Sequence, residues 1–347
     1  MQRLQIKTFK WRYSLLFMLI ALWLMTGTVQ AAPIVTCSAS ISNIEFGSID
    51  LLTSNTFTTT GTVSYSCKNT GDAPQSLTLC LNIGSAGINP RALPLLPNIS
   101  PGDSTDLPFQ LYKDSGYSNI WGSMANGLTP VPASINVTVV GGATQADTLT
   151  IYAAIPPNQS GKSAGDYKLN FNINDTLVTS VAGINGNCAS SSGSGPGVTP
   201  NQRMNTFYVQ ANAPTKCLIN SKSNIDFGNT PSSANNIESK GTNPINLTCT
   251  NGTVYNIGLA PSNDNKDGAG VMKGSGGNSD LVPYQLRSTP SLSGTPWGNT
   301  ATSTSLGNGV TGTGTGTAQN KSVYVTVPSA DFKPDTYSDI VTINVNY

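Results

Sequence analysis

The residues of this chain with the clearest chemistry are six cysteines: Cys37, Cys67, Cys80, Cys188, Cys217 and Cys249. Their even number suits disulfide bonds in an oxidising compartment. Histidine is absent, which excludes Ser-His-Asp and Cys-His nucleophile arrangements and every His-ligated metal site. A formal charge of +1 without a basic cluster argues against nucleic-acid binding. We therefore expect no catalytic residue, no cofactor and no metal.

Residues 1–31 have the pattern of a secretory signal peptide. Four basic residues and no acid precede an apolar run, Ser14–Met25, and Val29-Gln30-Ala31 fits a small-residue cleavage site. The run is short for a bilayer span, although an uncleaved anchor stays open as the alternative. The sequence thus predicts export, which makes disulfide bonds feasible.

The two halves of the chain repeat one another. The segment from Cys37 through Ile44-Glu45-Phe46-Gly47 to Cys67 recurs as Cys217, Ile225-Asp226-Phe227-Gly228 and Cys249. Four more matches follow in the same order: Leu81–Gly84 with Tyr255–Gly258, Pro108–Leu111 with Pro283–Leu286, Trp121-Gly122 with Trp297-Gly298, and Ile151–Pro156 with Val323–Pro328. Six cysteines allow fifteen pairings. The duplication favours Cys37–Cys67 and Cys217–Cys249, which leaves Cys80 for Cys188.

Hydrophobic residues alternate with polar ones within each copy, as in Leu77, Leu79, Leu81 and Ile83. With 35 Gly and 22 Pro to form turns, this pattern predicts antiparallel strands with one buried face, and hence two all-β, immunoglobulin-like sandwiches. Cys80 faces away from Leu79 and Leu81. Its bridge to Cys188 should therefore lie outside the core and attach a long loop to the sheet.

The order of these motifs resembles the spore coat U domain, the pilin module of archaic chaperone–usher pili. The quoted cysteine, Phe-Gly, Gln-Leu and Trp-Gly motifs carry the resemblance, together with a terminal Tyr337-x-Asp-x-Val-Thr-Ile-Asn-Val. Two copies behind a signal peptide resemble the two-domain tip adhesins of Csu-type pili. The resemblance implies incomplete sandwiches, a periplasmic chaperone, an outer-membrane usher, and a neighbouring pilin that donates its N-terminal strand.

The two copies end differently. After the strand centred on Phe171, a long loop leads to another alternating run, Thr206–Ala211, which is predicted to close the first sandwich. The matching strand of the second copy has no such successor, so it should form an edge for the chaperone and the donor strand, made by Val341, Ile343, Val345 and Tyr347. A complete six-stranded sandwich is the alternative.

The N-terminus favours a terminal position in a fibre. Only Ala32–Thr36 would precede Cys37 after cleavage, and five extended residues reach less than about 20 Å, which is too short for a donor strand. We expect three segments: a signal peptide at 1–31, an N-terminal adhesin domain at 32–212, and a C-terminal pilin domain at 213–347 that accepts a donor strand. The expected location is the pilus tip at the cell surface, reached through the periplasm.

Loops of the first copy are apolar where those of the second are polar, as in Leu93–Ser100 against Met272–Ser279. Apolar side chains on proline-stiffened loops predict a contact surface. The candidates come from three loops: Leu93, Leu95, Leu96 and Ile99; Ile120, Met124 and Leu128; and Leu177, Val178, Val181 and Ile184. We expect them to bind hydrophobic surfaces, including abiotic ones, and so to start biofilm formation. Alternatively, these residues belong to the core.

Other functions have weaker sequence support. A lectin-like adhesin that binds a host glycan could use Arg91, Asp103, Asp106 and Tyr117, although no spacing singles them out. A structural coat protein is a further alternative. The Asn263–Gly268 turn contains Asp264 and Asp267 but lacks the full calcium-loop pattern, so we interpret it as a solvated turn.

Overall fold

The computed structural model describes residues 34–84, 91–96, 105–123, 131–188, 202–240 and 244–347. These ranges consist of strands and turns, with a 3-10 turn at Ile173–Asp175. None of their helices is long and apolar enough to cross a membrane. The signal peptide predicted at 1–31 lies outside the described residues. The all-β prediction is confirmed.

The described residues of the first sandwich form eleven strands: β1 (Val35–Ile41), β2 (Ile44–Ser48), β3 (Phe57–Asn69), β4 (Gln75–Ile83), β5 (Arg91–Leu93), β6 (Leu107–Tyr112), β7 (Ala133–Val139), β8 (Thr144–Ile155), β9 (Gly165–Phe171), β10 (Thr176–Ala182) and β11 (Phe207–Ala213). They form a five-stranded sheet in the order β1-β3-β8-β6-β5 and two three-stranded sheets, β10-β4-β7 and β2-β11-β9.

The second sandwich contains β12 (Cys217–Lys222), β13 (Asn235–Lys240), β14 (Ile245–Cys249), β15 (Val254–Ala260), β16 (Ala269–Gly274), β17 (Leu281–Arg287), β18 (Val310–Thr313), β19 (Ala318–Lys321), β20 (Tyr324–Ser329), β21 (Tyr337–Ser338) and β22 (Thr342–Asn346). Its sheets are β12-β14-β19, β13-β20-β17-β16-β21 and β18-β15-β22. The two sandwiches are tandem immunoglobulin-like domains.

Alternation along the strands explains the two cores. In β3, Val63, Tyr65 and Cys67 are buried, while Ser64 between them is exposed. Each side chain of this size stabilises the fold by about 1.5–3 kcal/mol when it is fully buried. The buried residues form one cluster between positions 35 and 213 and another between 245 and 327, with no residue in common. Each half of the chain therefore has its own core.

The duplication extends to individual hydrogen bonds. The indole Nε1 of Trp121 donates to the carbonyl oxygen of Leu81 at 2.7 Å, and Trp297 donates to Ile257 at the same distance. Both tryptophans are buried. The hydroxyls of two matching tyrosines each donate to a backbone oxygen four residues earlier, Tyr167 to Ser163 and Tyr337 to Lys333. Trp121 is thus a structural residue, as the repeat predicts.

All six cysteines form the disulfides that the duplication favours. Cys37 lies directly opposite Cys67 on adjacent strands, with Cα atoms 4.0 Å apart, and Cys217 and Cys249 repeat this arrangement at 4.1 Å. Cys80 pairs with Cys188 across 5.6 Å. Both Cys80 and Cys188 are buried, yet neither belongs to the core cluster of the first sandwich.

Strand β4 departs from the predicted single buried face. Thr78, Cys80 and Asn82, which point away from the core, are 1%, 0% and 1% exposed. The Thr78 hydroxyl donates to the carbonyl oxygen of Gly183 and accepts from the backbone of Gly186, so the segment after β10 covers this face. The alternation along β4 therefore separates two buried faces, and the polar residues satisfy their hydrogen bonds within the protein.

Candidate functional site

Strand β11 completes the first sandwich. It lies antiparallel to β9, with Phe207 opposite Phe171, and parallel to β2, with Val209 opposite Ile44. Phe207 and Val209 are 3% and 0% exposed, and the ring of Phe207 stacks on that of Phe171 with centroids 4.6 Å apart. The predicted closing strand is confirmed.

The residues just before β11 reach β10, where Gln202 forms an isolated bridge. Gln202 pairs antiparallel with Val178 through two backbone hydrogen bonds of 2.6 and 3.0 Å. The side chain of Asn205 binds both the backbone N–H and the carbonyl oxygen of Ile41, at 2.7 and 3.0 Å. One segment, residues 202–213, thus lies along both β10 and β9.

The second sandwich has an open edge at β22. This strand pairs with β15 on one side, where Ile343 lies opposite Leu259, and no described strand pairs with its other side. Ile343 and Val345 pack on the core but stay partly exposed, and Tyr347 is 48% exposed. An unpaired strand edge beside partly exposed apolar side chains is a site for another strand.

The repeated Phe-Gly motif shows the same contrast between the copies. In the first copy, Ile44 lies in β2, beside β11, and is 0% exposed. In the second copy, the matching Ile225 and Phe227 are partly exposed, and residues 225–228 form no strand. Similar sequences therefore take a covered conformation where β11 is present and an uncovered one where no described strand takes that place.

The first apolar loop is less exposed than the sequence suggested. Leu93 is 0% exposed because β5 pairs it with Leu107 inside the core, so its assignment to the contact surface was wrong. Leu95 forms a bridge with Tyr167 and packs against the core. Leu96 is 41% exposed and is available for contact. Ile99 lies outside the described residues.

In the second loop, one of the three candidate contact residues pairs with the sheet. Ile120 is partly buried, where it forms a bridge with Tyr112. Met124 and Leu128 lie outside the described residues, while Val131, at the end of this loop, is 38% exposed.

The third loop is mostly strand. Val178 is 3% exposed because β10 lies between β4 and Gln202, so its assignment to the contact surface was also wrong. Leu177 and Val181 are partly buried in the same strand. Ile184, just beyond the strand, is 60% exposed.

The first and third loops lie at different ends of the first sandwich. Leu95 pairs with Tyr167 beside Ser163, which forms a bridge with Asn251 of the second sandwich. Val181 lies near the far end of β10, which follows β9 along the segment of residues 202–213. The four residue steps from Tyr167 to the end of β9 and the five from Thr176 to Val181 amount to roughly 30 Å at about 3.3 Å per step. The structure therefore does not bring the two loops into one surface.

The residues considered for sugar or calcium binding are mostly used internally. Arg91 is 1% exposed and donates to the carbonyl oxygen of Trp121 at 2.8 Å, and burial lowers its pKa to about 10. Asp106 is 5% exposed, whereas Asp103 lies outside the described residues. The Asn265 side chain accepts from the backbone of Asp267 within its own turn. The described residues contain no cluster of three or more potential metal ligands.

Sequence reasoning missed two exposed features. Val140, in the β7–β8 hairpin, is 62% exposed at the same end of the sandwich as Ile184, since Val139 and Ala182 pair near the start of β4. Val140 is a single apolar residue beside a Gly-rich turn, so no sequence pattern marks it as a contact residue. The second feature is a cluster of three tyrosines, Tyr112, Tyr117 and Tyr152. Of these three, the sequence offered only Tyr117 as a candidate for sugar binding. Tyr112 and Tyr152 meet only through the register of β6 and β8, which the sequence does not show.

Comparison with protein families matches the Spore Coat Protein U domain at residues 24–174 and 203–344. Among solved structures, the chain is similar to the CsuC–CsuE chaperone–tip adhesion subunit pre-assembly complex of Acinetobacter baumannii, at 16% identity over 89% of this chain and 100% of that one, with a TM-score of 0.44. It is also similar to the CupB6 tip adhesin of Pseudomonas aeruginosa, at 10% identity over 90% and 94%, with a TM-score of 0.36. Curated proteins gave no significant match. The two family matches span most of the chain, one for each sandwich, and the chain belongs to the Spore Coat Protein U domain family.

Proposed function

We propose that this protein is the tip adhesin of a chaperone–usher pilus. Residues 32–212 act as the adhesin domain, and residues 213–347 act as the pilin domain that accepts a donor strand. The observation that carries the proposal is the difference between the two strand edges. Residues 202–213 fill the place beside β9 and β10, whereas no described strand pairs with the outer edge of β22.

A donor strand fits the open edge by the same physics that holds β11. Backbone N–H and C=O groups along β22 gain hydrogen bonds, and apolar side chains of the donor cover Ile225, Phe227, Ile343 and Val345. Fully covering one such side chain is worth about 1.5–3 kcal/mol, and less here because each is already partly buried. A periplasmic chaperone would occupy the edge first, and an adjacent pilin would replace it at the outer-membrane usher.

The isolated second half, residues 213–347, tests this edge. We expect it to aggregate alone and to become a stable monomer with a peptide of residues 204–213, which has the pattern that fills the first sandwich. A matched peptide with Phe207→Asp and Val209→Asp serves as the control, because it keeps the length but loses the apolar face. A monomer that unfolds cooperatively without any peptide would contradict the proposal.

The adhesin domain would contact hydrophobic, including abiotic, surfaces and so promote biofilm formation. Ile184 and Leu96 supply exposed apolar area, and Ile99, Met124 and Leu128 remain part of the proposal. Ile184 is the strongest candidate, because it lies at the end of the first sandwich that is away from the contact between Ser163 and Asn251. Each exposed side chain contributes a small free energy of binding. Simultaneous attachment of many pili on one cell then raises the overall avidity.

Attachment of piliated cells to polystyrene tests this contact. Ile184→Ser should reduce attachment, and because no ion pair is involved, added salt should not reduce it. The control is Leu306→Ser, which changes a 44% exposed leucine of the second sandwich. Equal attachment by both variants, at equal piliation, would refute the assigned contact.

A further inference from the structure

Three tyrosines of the first sandwich meet on the outer face of its five-stranded sheet. Tyr112 of β6 lies opposite Tyr152 of β8, which in turn lies opposite Thr60 of β3. The ring of Tyr117 lies 5.5 Å from that of Tyr112 and 6.1 Å from that of Tyr152, at interplanar angles of 86° and 82°. Such edge-to-face contacts are favourable. Because the ring of Tyr117 stands nearly perpendicular to those of Tyr112 and Tyr152, the three rings form an aromatic corner.

The loop that carries Tyr117 is held in place by Asp114. The carboxylate accepts hydrogen bonds from the hydroxyl and backbone of Ser118, at 2.8 and 3.2 Å, and from the backbone of Asn119 at 2.7 Å. Tyr117 has a φ of 53°, a left-handed conformation that is uncommon for a bulky residue. The surrounding hydrogen bonds thus fix one aromatic ring over two others.

All three rings are partly exposed, and their phenol oxygens make no hydrogen bond to another described residue. In contrast, the hydroxyls of Tyr167, Tyr208, Tyr255, Tyr284 and Tyr337 each bond within the protein. The nearby charges are engaged as well: Lys113 donates to the carbonyl oxygen of Val131, and Asp114 holds its own loop. The corner therefore offers apolar faces and neutral hydroxyls.

The second copy has an arginine at the place that matches Tyr112. Arg287 lies opposite Tyr324, as Tyr112 lies opposite Tyr152. Its guanidinium donates to the hydroxyl of Thr326 at 3.0 Å and to the carbonyl oxygen of Gly294. The aromatic corner is thus particular to the first sandwich.

We propose that Tyr112, Tyr117 and Tyr152 bind a neutral β-linked glycan. Each pyranose ring of such a glycan is a chair whose substituents are mostly equatorial, so apolar C–H groups lie on its faces and hydroxyls lie around its edge. One face can stack on a tyrosine ring, while sugar hydroxyls reach the phenol oxygens and the hydroxyl of Thr60. This site goes beyond attachment to apolar surfaces, since it lies on the sheet and not in the apolar loops.

Calorimetric titration of the chain, purified with the peptide of residues 204–213 bound at β22, with cellopentaose, chitopentaose and laminaripentaose tests the proposal. We expect at least one of them to bind, and Tyr117→Ala and Tyr152→Ala to weaken that affinity by about tenfold through lost stacking. Tyr117→Phe should weaken it less, because only the hydroxyl is lost. Tyr324→Ala is the matched control in the second sandwich and should leave the affinity unchanged.

Circular dichroism of each variant confirms that the sandwiches are folded. Absence of binding to all three pentasaccharides by the unaltered chain would overturn the proposal, as would equal loss of affinity in Tyr117→Ala and Tyr324→Ala. Donor-strand acceptance at β22 is measured separately with the peptide of residues 204–213, so failure at the glycan site is distinguishable from failure of the pilus function.

Discussion

The indole Nε1 of Trp297 donates a 2.7 Å hydrogen bond to the carbonyl oxygen of Ile257. The backbone N–H of the same tryptophan donates to Leu286, so this one residue connects β17 with β15, which belongs to the other sheet. Trp121 makes the corresponding bonds to Leu81 and Leu111 in the first sandwich. Each sandwich thus contains one buried tryptophan that connects its sheets.

Replacing Trp297 by Phe should destabilise the second sandwich by about 2 kcal/mol. The phenyl ring keeps an aromatic group at this position, but the buried carbonyl oxygen of Ile257 loses its donor and the smaller side chain leaves a void. Chemical unfolding in the presence of the strand peptide measures the change. Trp121→Phe is the matched variant and should lower the stability of the first sandwich instead. An unchanged unfolding midpoint in either case would contradict the structural role of that indole.

Residues 34–213 should fold alone as a monomer, whereas a chain truncated after Ser194 should not. Truncation removes Phe207, Val209, Ala211 and Ala213, all 3% exposed or less, and uncovers Ile44. The lost burial amounts to roughly 5 kcal/mol, which is comparable to the whole stability of many domains. Thermal unfolding and size-exclusion chromatography distinguish the two chains. Equal stability would show that residues 202–213 do not complete the sandwich.

Stability of the first sandwich should fall as the pH rises from about 10 to 12. Burial, aided by the charge of Asp106, raises the pKa of Tyr167 to about 12 from its ordinary 10.0. In this interval the unfolded chain releases the phenol proton while the folded chain retains it, so unfolding becomes more favourable. Tyr167→Phe should lessen this dependence. Unfolding curves between pH 9 and 12, compared for the two proteins, check the prediction, and identical pH profiles would contradict it.

Removal of the Cys80–Cys188 disulfide should loosen the segment after β10 more than the sandwich itself. The bridge attaches this segment to the outer face of β4, and neither cysteine belongs to the core cluster. We expect the double variant Cys80→Ser and Cys188→Ser to be cleaved faster by protease after residue 182, while its sheets still unfold cooperatively. Cys37→Ser with Cys67→Ser, which removes a bridge inside the core, is the comparison. Unaltered cleavage would contradict the assigned role.

The sequence by itself determined the fold class, the duplication and the disulfides. Alternation of apolar and polar residues depends only on the two-residue repeat of a strand, and the ordered matches around Trp121 and Trp297 reveal the two copies directly. The duplication was also enough to choose among the cysteine pairings. The role of Phe207–Ala211 followed from the same alternation, because a spare apolar strand must cover an apolar face.

The tertiary structure alone decided which apolar residues are available for contact. Leu93 and Ile184 both belong to apolar segments, yet one pairs with Leu107 in the core and the other is 60% exposed. Likewise, Tyr112 and Tyr152 are forty residues apart and meet only through the register of β6 and β8. Burial and register depend on which strands become neighbours, and that choice is made by packing of the whole domain, which no local pattern records.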